Sequence, residues 1–268
     1  MTIRPTIWLN DFIVRLNPNP LQPLRKPRIT QLTNGNFLVS WADSFNLDDS
    51  LAGSDVIGQM FDPPGVPIGG RIRLNTNTSD NEGEADIAAM PGGGFTVIWN
   101  SLIRGFPFSG VVSVMQIFNA LGTATNNIID LNSGARAGFD VGVRPANSTF
   151  IFAAADIATA GRLSSISIQA FGSSGTPTTS GNLATITAAQ SVEFFDPQIA
   201  GLAPTAALPS GGRYVVDWTS DSGTSDGIFF SIFDGTQPIV SQRAVTSDSE
   251  RANEAALIAL PDGGFFIV

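Results

Sequence analysis

An all-β chain is predicted by three features of the sequence. A turn followed by an aromatic-led strand recurs along its length. The strands so marked are apolar on both faces, as in Phe37-Leu38-Val39 and Val97-Ile98-Trp99, so both faces must be covered. No helical period persists, whereas Gly (28) and Pro (17) are plentiful among the 268 residues, as many short strands joined by turns require. Four-stranded sheets stacked radially satisfy all three, because each sheet then lies between two neighbours. The expected architecture is a single domain over residues 1–268, a five-bladed β-propeller of four-stranded blades.

Each unit opens with an innermost strand: PRITQL (27–32), ADIAAM (85–90), DVGVR (140–144), PQIAGL (197–202) and AALIAL (255–260). The turn and second strand follow as LTNGNFLVSW (32–41), MPGGGFTVIW (90–99), LPSGGRYVVDW (208–218) and LPDGGFFIV (260–268), with RPANSTFIFAA (144–154) a weaker copy. Their leading aromatics are Phe37, Phe95, Phe150, Tyr214 and Phe265, at intervals of roughly 50–65 residues. Trp41, Trp99 and Trp218 each follow at one fixed offset, and Ala154 breaks the rule. Asn34-Gly35 and Asp262-Gly263 are tight-hairpin signals. A third strand recurs as VIGQMFD (56–62), VSVMQIFN (112–119), ISIQAFG (166–172) and IFFSIFD (228–234). The outermost element follows as GRIRLN (70–75), NNIIDLN (126–132), NLATIT (182–187) and SQRAVT (241–246).

These elements place the blades at about 27–84, 85–139, 140–195 and 196–254, and leave 255–268 as half a blade. TIWLND (6–11) and FIVRLN (12–17) resemble the missing strands, so residues 6–17 are expected to complete the fifth blade and close the ring. Closure removes exposed sheet edges. The alternative is that half-blades pair between molecules, head to tail.

Composition excludes more than it assigns. With no Cys and no His, there is no disulfide framework, thiolate, imidazole base or usual zinc site. A net charge of −9 argues against a nucleic-acid groove. The start is basic by contrast, with Arg4, Arg15, Arg25, the chain's lone lysine Lys26 and Arg28 against Asp11. That stretch reads as a solvated face or a contact for an acidic neighbour. No apolar run is long enough to span a membrane, and residues 1–16 lack the apolar centre of a cleavable signal peptide.

Candidate sites are weighed against structural roles. Asp43, Asp48, Asp49 and Asp55, with Asp221 and Asp226 in the matching loop of the fourth unit, are oxygen ligands of the kind Ca²⁺ takes. No EF-hand-type loop occurs, and Arg104 and Arg162 stand at the equivalent places of the second and third units, so solvated loops are expected. Glu84 and Glu254 precede equivalent innermost strands, with Glu82, Asp86 and Glu250 near and Glu193 roughly equivalent. They read as strand caps facing one mouth of the central channel, or as a cation site or carboxylate pair for glycoside hydrolysis. Trp8, Trp41, Trp99 and Trp218 read as packing between blades, with sugar stacking the alternative. Asp62 and Asp234 read as turn formers. No catalytic, cofactor-binding or metal-binding residue is assigned, and no cofactor is expected, Ca²⁺ being the one ion the acidic loops suit.

The stretch LTNGNFLVSW…DVIGQMFDPPGVPIGGRIRLNTNT…NEGEADIAAMPGGGFTVIW resembles a repeat of large secreted bacterial proteins. That repeat reads L-x-x-G-G-F-V-V-x-W…G-x-x-Q-x-F-D-x-x-G-x-x-x-G…V-N-T, and often sits beside the calcium-binding repeats of type I secretion in adhesins and surface proteins. Residues 27–99 match best and 140–195 poorly. The resemblance implies an extracellular or cell-surface setting and carries no catalytic residue. The expected function is a non-enzymatic structural or interaction module, with a protein partner or homo-oligomer. The alternatives are a carbohydrate-binding, lectin-like propeller and, third, a carboxylate-based glycoside hydrolase or lyase.

Overall fold

The computed structural model describes residues 24–43, 54–75, 81–104, 109–126, 128–133, 136–146, 149–156, 164–189, 192–207, 212–223, 226–246 and 255–268. Residues 6–17, expected to complete the last blade, lie outside them. Among the described residues every regular element is a β-strand. The first sheet holds β1 (Leu24–Gln31), β2 (Phe37–Asp43), β3 (Asp55–Phe61) and β4 (Pro67–Arg73). The second holds β5 (Asn81–Ala89), β6 (Phe95–Arg104), β7 (Ser109–Phe118) and β8 (Ile129–Ser133). The third holds β9 (Arg136–Arg144), β10 (Thr149–Asp156), β11 (Ser165–Phe171) and β12 (Ala184–Thr187). The fourth holds β13 (Glu193–Gly201), β14 (Arg213–Asp221), β15 (Asp226–Asp234) and β16 (Gln237–Ala244). A two-stranded sheet of β17 (Leu257–Ala259) and β18 (Phe265–Ile267) ends the chain. Each is an antiparallel meander, and the whole is all-β and propeller-like.

The repeat translates directly into pairing. The two aromatic series meet across the middle of each full sheet, as Phe37↔Phe61, Phe95↔Phe118, Phe150↔Phe171 and Tyr214↔Phe233. Two of these pairs stack, with ring centroids 5.0 and 5.2 Å apart. The first hairpin is longer than a two-residue turn. Gly35 N donates to Leu32 O at 2.9 Å and Leu32 N to Asn36 O at 2.7 Å. Gly35 sits at φ +87°, so a left-handed glycine closes a three-residue loop. Gly93 and Gly263 repeat it at φ +90° and +86°.

Successive sheets pack face to face. The aromatic and Trp face of one sheet meets the alternate face of the sheet before it. Phe95, Val97 and Trp99 pack with Leu38, Val56 and Met60, and Phe150, Phe152 and Ala154 with Ile98, Met115 and Ile117. Tyr214, Val216 and Trp218 pack with Ile151, Ala153 and Ile168. Trp99 and Trp218 are fully buried in these inter-sheet clusters, and Trp41 is fully buried on the first sheet with the Arg71 guanidinium over its ring, so none of the three is a sugar platform. Where the Trp rule breaks, volume has changed strands. Trp99 faces Ala85 across the second sheet, whereas Ala154 faces Phe139 across the third. A large–small pair keeps the layer filled whichever strand carries the large member.

Two apolar faces depart from this rule. Ile29 on the first sheet is 68% exposed, and Phe266 on the last is 61% exposed. Ile29, Phe37 and Val39 lie on the face that in later sheets is covered by the preceding sheet, and with Phe61 they line an open apolar groove.

Candidate functional site

The inner strands converge on an axial cavity of about 500 Å³. One residue per sheet holds a common register there. Arg28 pairs with Ser40, Asp86 with Ile98, Asp140 with Ala153 and Gln198 with Asp217, in each case three residues beyond the leading aromatic. Ala256, bonded to Val268, is the fifth.

Each polar member reaches the next sheet. Arg28 Nε lies 3.5 Å from Asp86 Oδ1. Asp86 Oδ2 accepts Val141 N–H at 3.1 Å, and Asp140 Oδ2 accepts Ile199 N–H at 2.6 Å. Gln198 Oε1 accepts Leu257 N–H at 2.9 Å, while its Nε2 donates to Ala255 O. An innermost strand leaves alternate N–H groups without a second-strand partner, and these side chains satisfy them. Burial, then the adjacent charge of Asp86 and a hydrogen bond shared with it, push the Asp140 carboxyl well above the usual carboxylate range. The backbone N–H groups of Ile199 and Val141 oppose the shift without cancelling it. Burial and the neighbouring carboxylate thus both favour the neutral form of Asp140.

A bulge interrupts the inner strands at the cavity mouth. In the first and fourth sheets it carries a non-glycine residue in left-handed backbone, Lys26 at φ +47° and Asp196 at φ +44°, each followed by proline. Gly138, at φ +107°, occupies the same place in the third sheet. A Cβ there would fall 2.7 Å from Asp196 Cα, so Gly138 lets β9 and β13 close together. Among the described residues, Lys26, Arg28, Asp86, Asp140, Asp196 and Gln198 are the polar lining of the cavity.

Of the residues proposed from sequence, Asp86 alone stands in the described cavity lining. Glu82 is buried behind it, with Oε1 accepting from Ser101 Oγ at 3.1 Å. Glu193 is exposed at the start of β13 and pairs with Asp221, while Asp196, two residues before Gln198, holds the place that Glu84 holds before Asp86. Asp55 is no solvated loop residue. It is 2% exposed, accepts from Asn75 Nδ2 at 2.8 Å, and pairs with Arg73 Nε at 3.1 Å. Asp221 faces Asp226 across β14 and β15 and caps a turn at Gly223. Asp62 accepts Val66 N–H at 2.6 Å in its turn, and Asp234 ends β15. Trp8, Asp48, Asp49, Arg162, Glu250 and Glu254 lie outside the described residues, as do the side chains of Asp43, Glu84 and Arg104. No group of metal-ligating side chains gathers among the described residues.

Lys26, Arg28, Asp140, Asp196 and Gln198 were not identified as a set from sequence. A signal was present: the residue before the branched aliphatic of each inner strand reads Arg28-Ile29, Asp86-Ile87, Asp140-Val141, Gln198-Ile199 and Ala256-Leu257.

No family model matches the chain, and no curated protein matches it. Solved structures do. A protein of unknown function from Dyadobacter fermentans aligns with a TM-score of 0.61 at 10% identity, over 93% of this chain and 75% of that one. A Hadza microbial sialidase aligns with a TM-score of 0.59 at 13% identity, over 89% of this chain and 50% of that one. A thermostable family-43 glycoside hydrolase aligns with a TM-score of 0.52 at 9% identity, over 86% and 77%. At such identities the likeness is one of fold.

These neighbours overturn the expectation of a non-enzymatic structural module, because carbohydrate-active enzymes share the fold. The physical reason is plain. Absence of His and Cys removes imidazole and thiolate routes, but glycoside hydrolysis asks only for two carboxyl groups.

Proposed function

We propose that this chain is a carbohydrate-active enzyme that takes a saccharide into the axial cavity and hydrolyses a glycosidic bond there. The observation that carries the reading is Asp140, a carboxyl on the cavity wall whose pKa is raised by burial and by Asp86 beside it. A general acid needs such a raised pKa. Asp140 gives its proton to the glycosidic oxygen as the C–O bond breaks. Asp196, at the mouth, is the second carboxyl and takes the proton of the attacking water. Arg28 and Gln198 stand on the cavity wall that the saccharide meets.

The test is a panel of arabinan, xylan and sialoside substrates and their aryl glycosides, read by reducing-end or chromophore release. Asp140→Asn should lower kcat about 100-fold or more. The variant keeps an oxygen to accept Ile199 N–H, so its melting temperature should stay close to the parent's. No turnover and no binding of any saccharide would refute the proposal. One observation favours binding without turnover: Asp86, Asp140 and Gln198 are all tied to neighbouring backbone. Saturable binding with no product on any substrate would select that second reading.

The proposal includes the closed ring of five blades, with residues 6–17 as the outer strands of the fifth. The open face of the first sheet (Ile29, Phe37, Val39) and that of the last (Ile258, Phe266) stand at the registers that meet between the other sheets. A monomer in solution supports closure within the chain, and a concentration-dependent chain of copies supports exchange of half-blades. The secreted or surface setting implied by the repeat is also part of the proposal, and fractionation of native cells tests it.

A further inference from the structure

The cavity wall is divided by charge. Asp86, Asp140 and Asp196 come from the second, third and fourth sheets, while the first sheet contributes Lys26 and Arg28. In a chain of net charge −9, the lone lysine is spent here. Other arginines are engaged elsewhere. Arg71 lies 5.6 Å over the Trp41 ring and Arg73 pairs with Asp55. Arg144 donates to Thr149 Oγ1 and Arg213 to Ala203 O. Among the described residues, Lys26 and Arg28 are the only basic side chains on the cavity lining.

Their placement is specific. Lys26 stands in left-handed backbone at φ +47°, which aims the bulge residue at the mouth, and Pro27 restricts it further. Asp196-Pro197 builds the same bulge with the opposite charge in the fourth sheet. Arg28 is two residues further along, half exposed, and only loosely held by Asp86 at 3.5 Å. A neutral sugar gains nothing from two cations on one wall, since hydroxyls are served as well by uncharged donors. A carboxylate gains charge-assisted hydrogen bonds from both.

We infer that the cavity selects a saccharide bearing a carboxylate, a uronic-acid unit, whose charged group sits against Lys26 and Arg28 while its ring faces Asp140, Asp196 and Gln198. This rests on the carbohydrate reading above and narrows its substrate class.

The test compares trigalacturonic acid with its methyl ester, which has the same ring and no charge, by isothermal titration calorimetry. The acid should bind at least ten-fold more tightly at low salt, with the preference shrinking as salt rises. Lys26→Asn, which removes the charge and tolerates left-handed backbone, should bring the two ligands within about three-fold of each other. Lys26 is exposed, so the variant should fold, and an unchanged melting curve checks this. Equal affinity for acid and ester, or a ten-fold preference undiminished in Lys26→Asn, overturns the inference and leaves the carbohydrate function standing. Binding or hydrolysis of neutral arabinan or xylan, with none of the acid, does the same. No binding of any charged or neutral saccharide fails both.

Discussion

Asp217 should make the stability of this protein fall as pH rises through neutrality, and Asp217→Asn should remove that fall. The side chain is fully buried, and neither oxygen closes a hydrogen bond of normal geometry. Its cross-strand partners are Gln198, which bonds the last sheet, and Phe230, whose ring meets Phe265 edge-on at 5.5 Å. The equivalent positions hold Ser40, Ile98 and Ala153, none of them charged. Burial raises the carboxyl from 3.8 to about 7, against the pull of the nearby N–H groups of Gln198 and Asp217 itself. A folded-state pKa above the unfolded one stabilises below about pH 4, and that stability is lost as pH climbs through 7. At 1.36 kcal/mol per unit the loss is at most about 4 kcal/mol, or about 10 °C in Tm for a domain of this size. Urea unfolding at pH 5, 6, 7 and 8 measures it. At pH 5 the Asn variant should be no more stable than the parent, since its amide hydrogens lack acceptors. At pH 8 it should be the more stable of the two. Asp140 shifts in the same direction, so a residual slope should persist in the variant. Equal slopes in both proteins would show that Asp217 is hydrated or paired in solution, and the reasoning would fail.

Two further outcomes are expected. Gly201→Ala would place a Cβ 2.1 Å from Val143 O and 2.6 Å from Arg144 Cα, backbone that cannot swing aside. It should cost about 2 kcal/mol or more by urea unfolding, and an unchanged midpoint would mean that the third and fourth sheets sit further apart. Ala256→Gln should stabilise by about 1 kcal/mol if the ring closes, because the new side chain would reach Ile29 N–H as Gln198 reaches Leu257 N–H. A neutral or destabilising result would place the first and last sheets apart.

Much of the architecture was legible before any coordinates. The aromatic series, the glycine turns and the apolar-on-both-faces strands are local patterns, and hydrophobic period maps onto strand register without further information. Pairings such as Phe95↔Phe118 and Tyr214↔Phe233 follow from those patterns alone. The rule broke at Ala154, where Phe139 supplies the missing volume from another strand, a compensation that only packing reveals. Asp55 misled for a similar reason: a carboxylate in an apparent loop proved to be buried against Arg73 and Asn75, residues distant in sequence.

The site was far less legible. Asp140 is unremarkable in DVGVR, and its raised pKa exists only because the next sheet buries it and Asp86 is brought beside it. Bulges put Lys26 and Asp196 in left-handed backbone at the cavity mouth, and a bulge is a backbone event that residue spacing does not record. Strand identity is written in neighbouring residues and survives in the chain alone. Charge, protonation and access to the cavity depend on what four different sheets place within a few ångströms of one another, and that is a property of the folded chain.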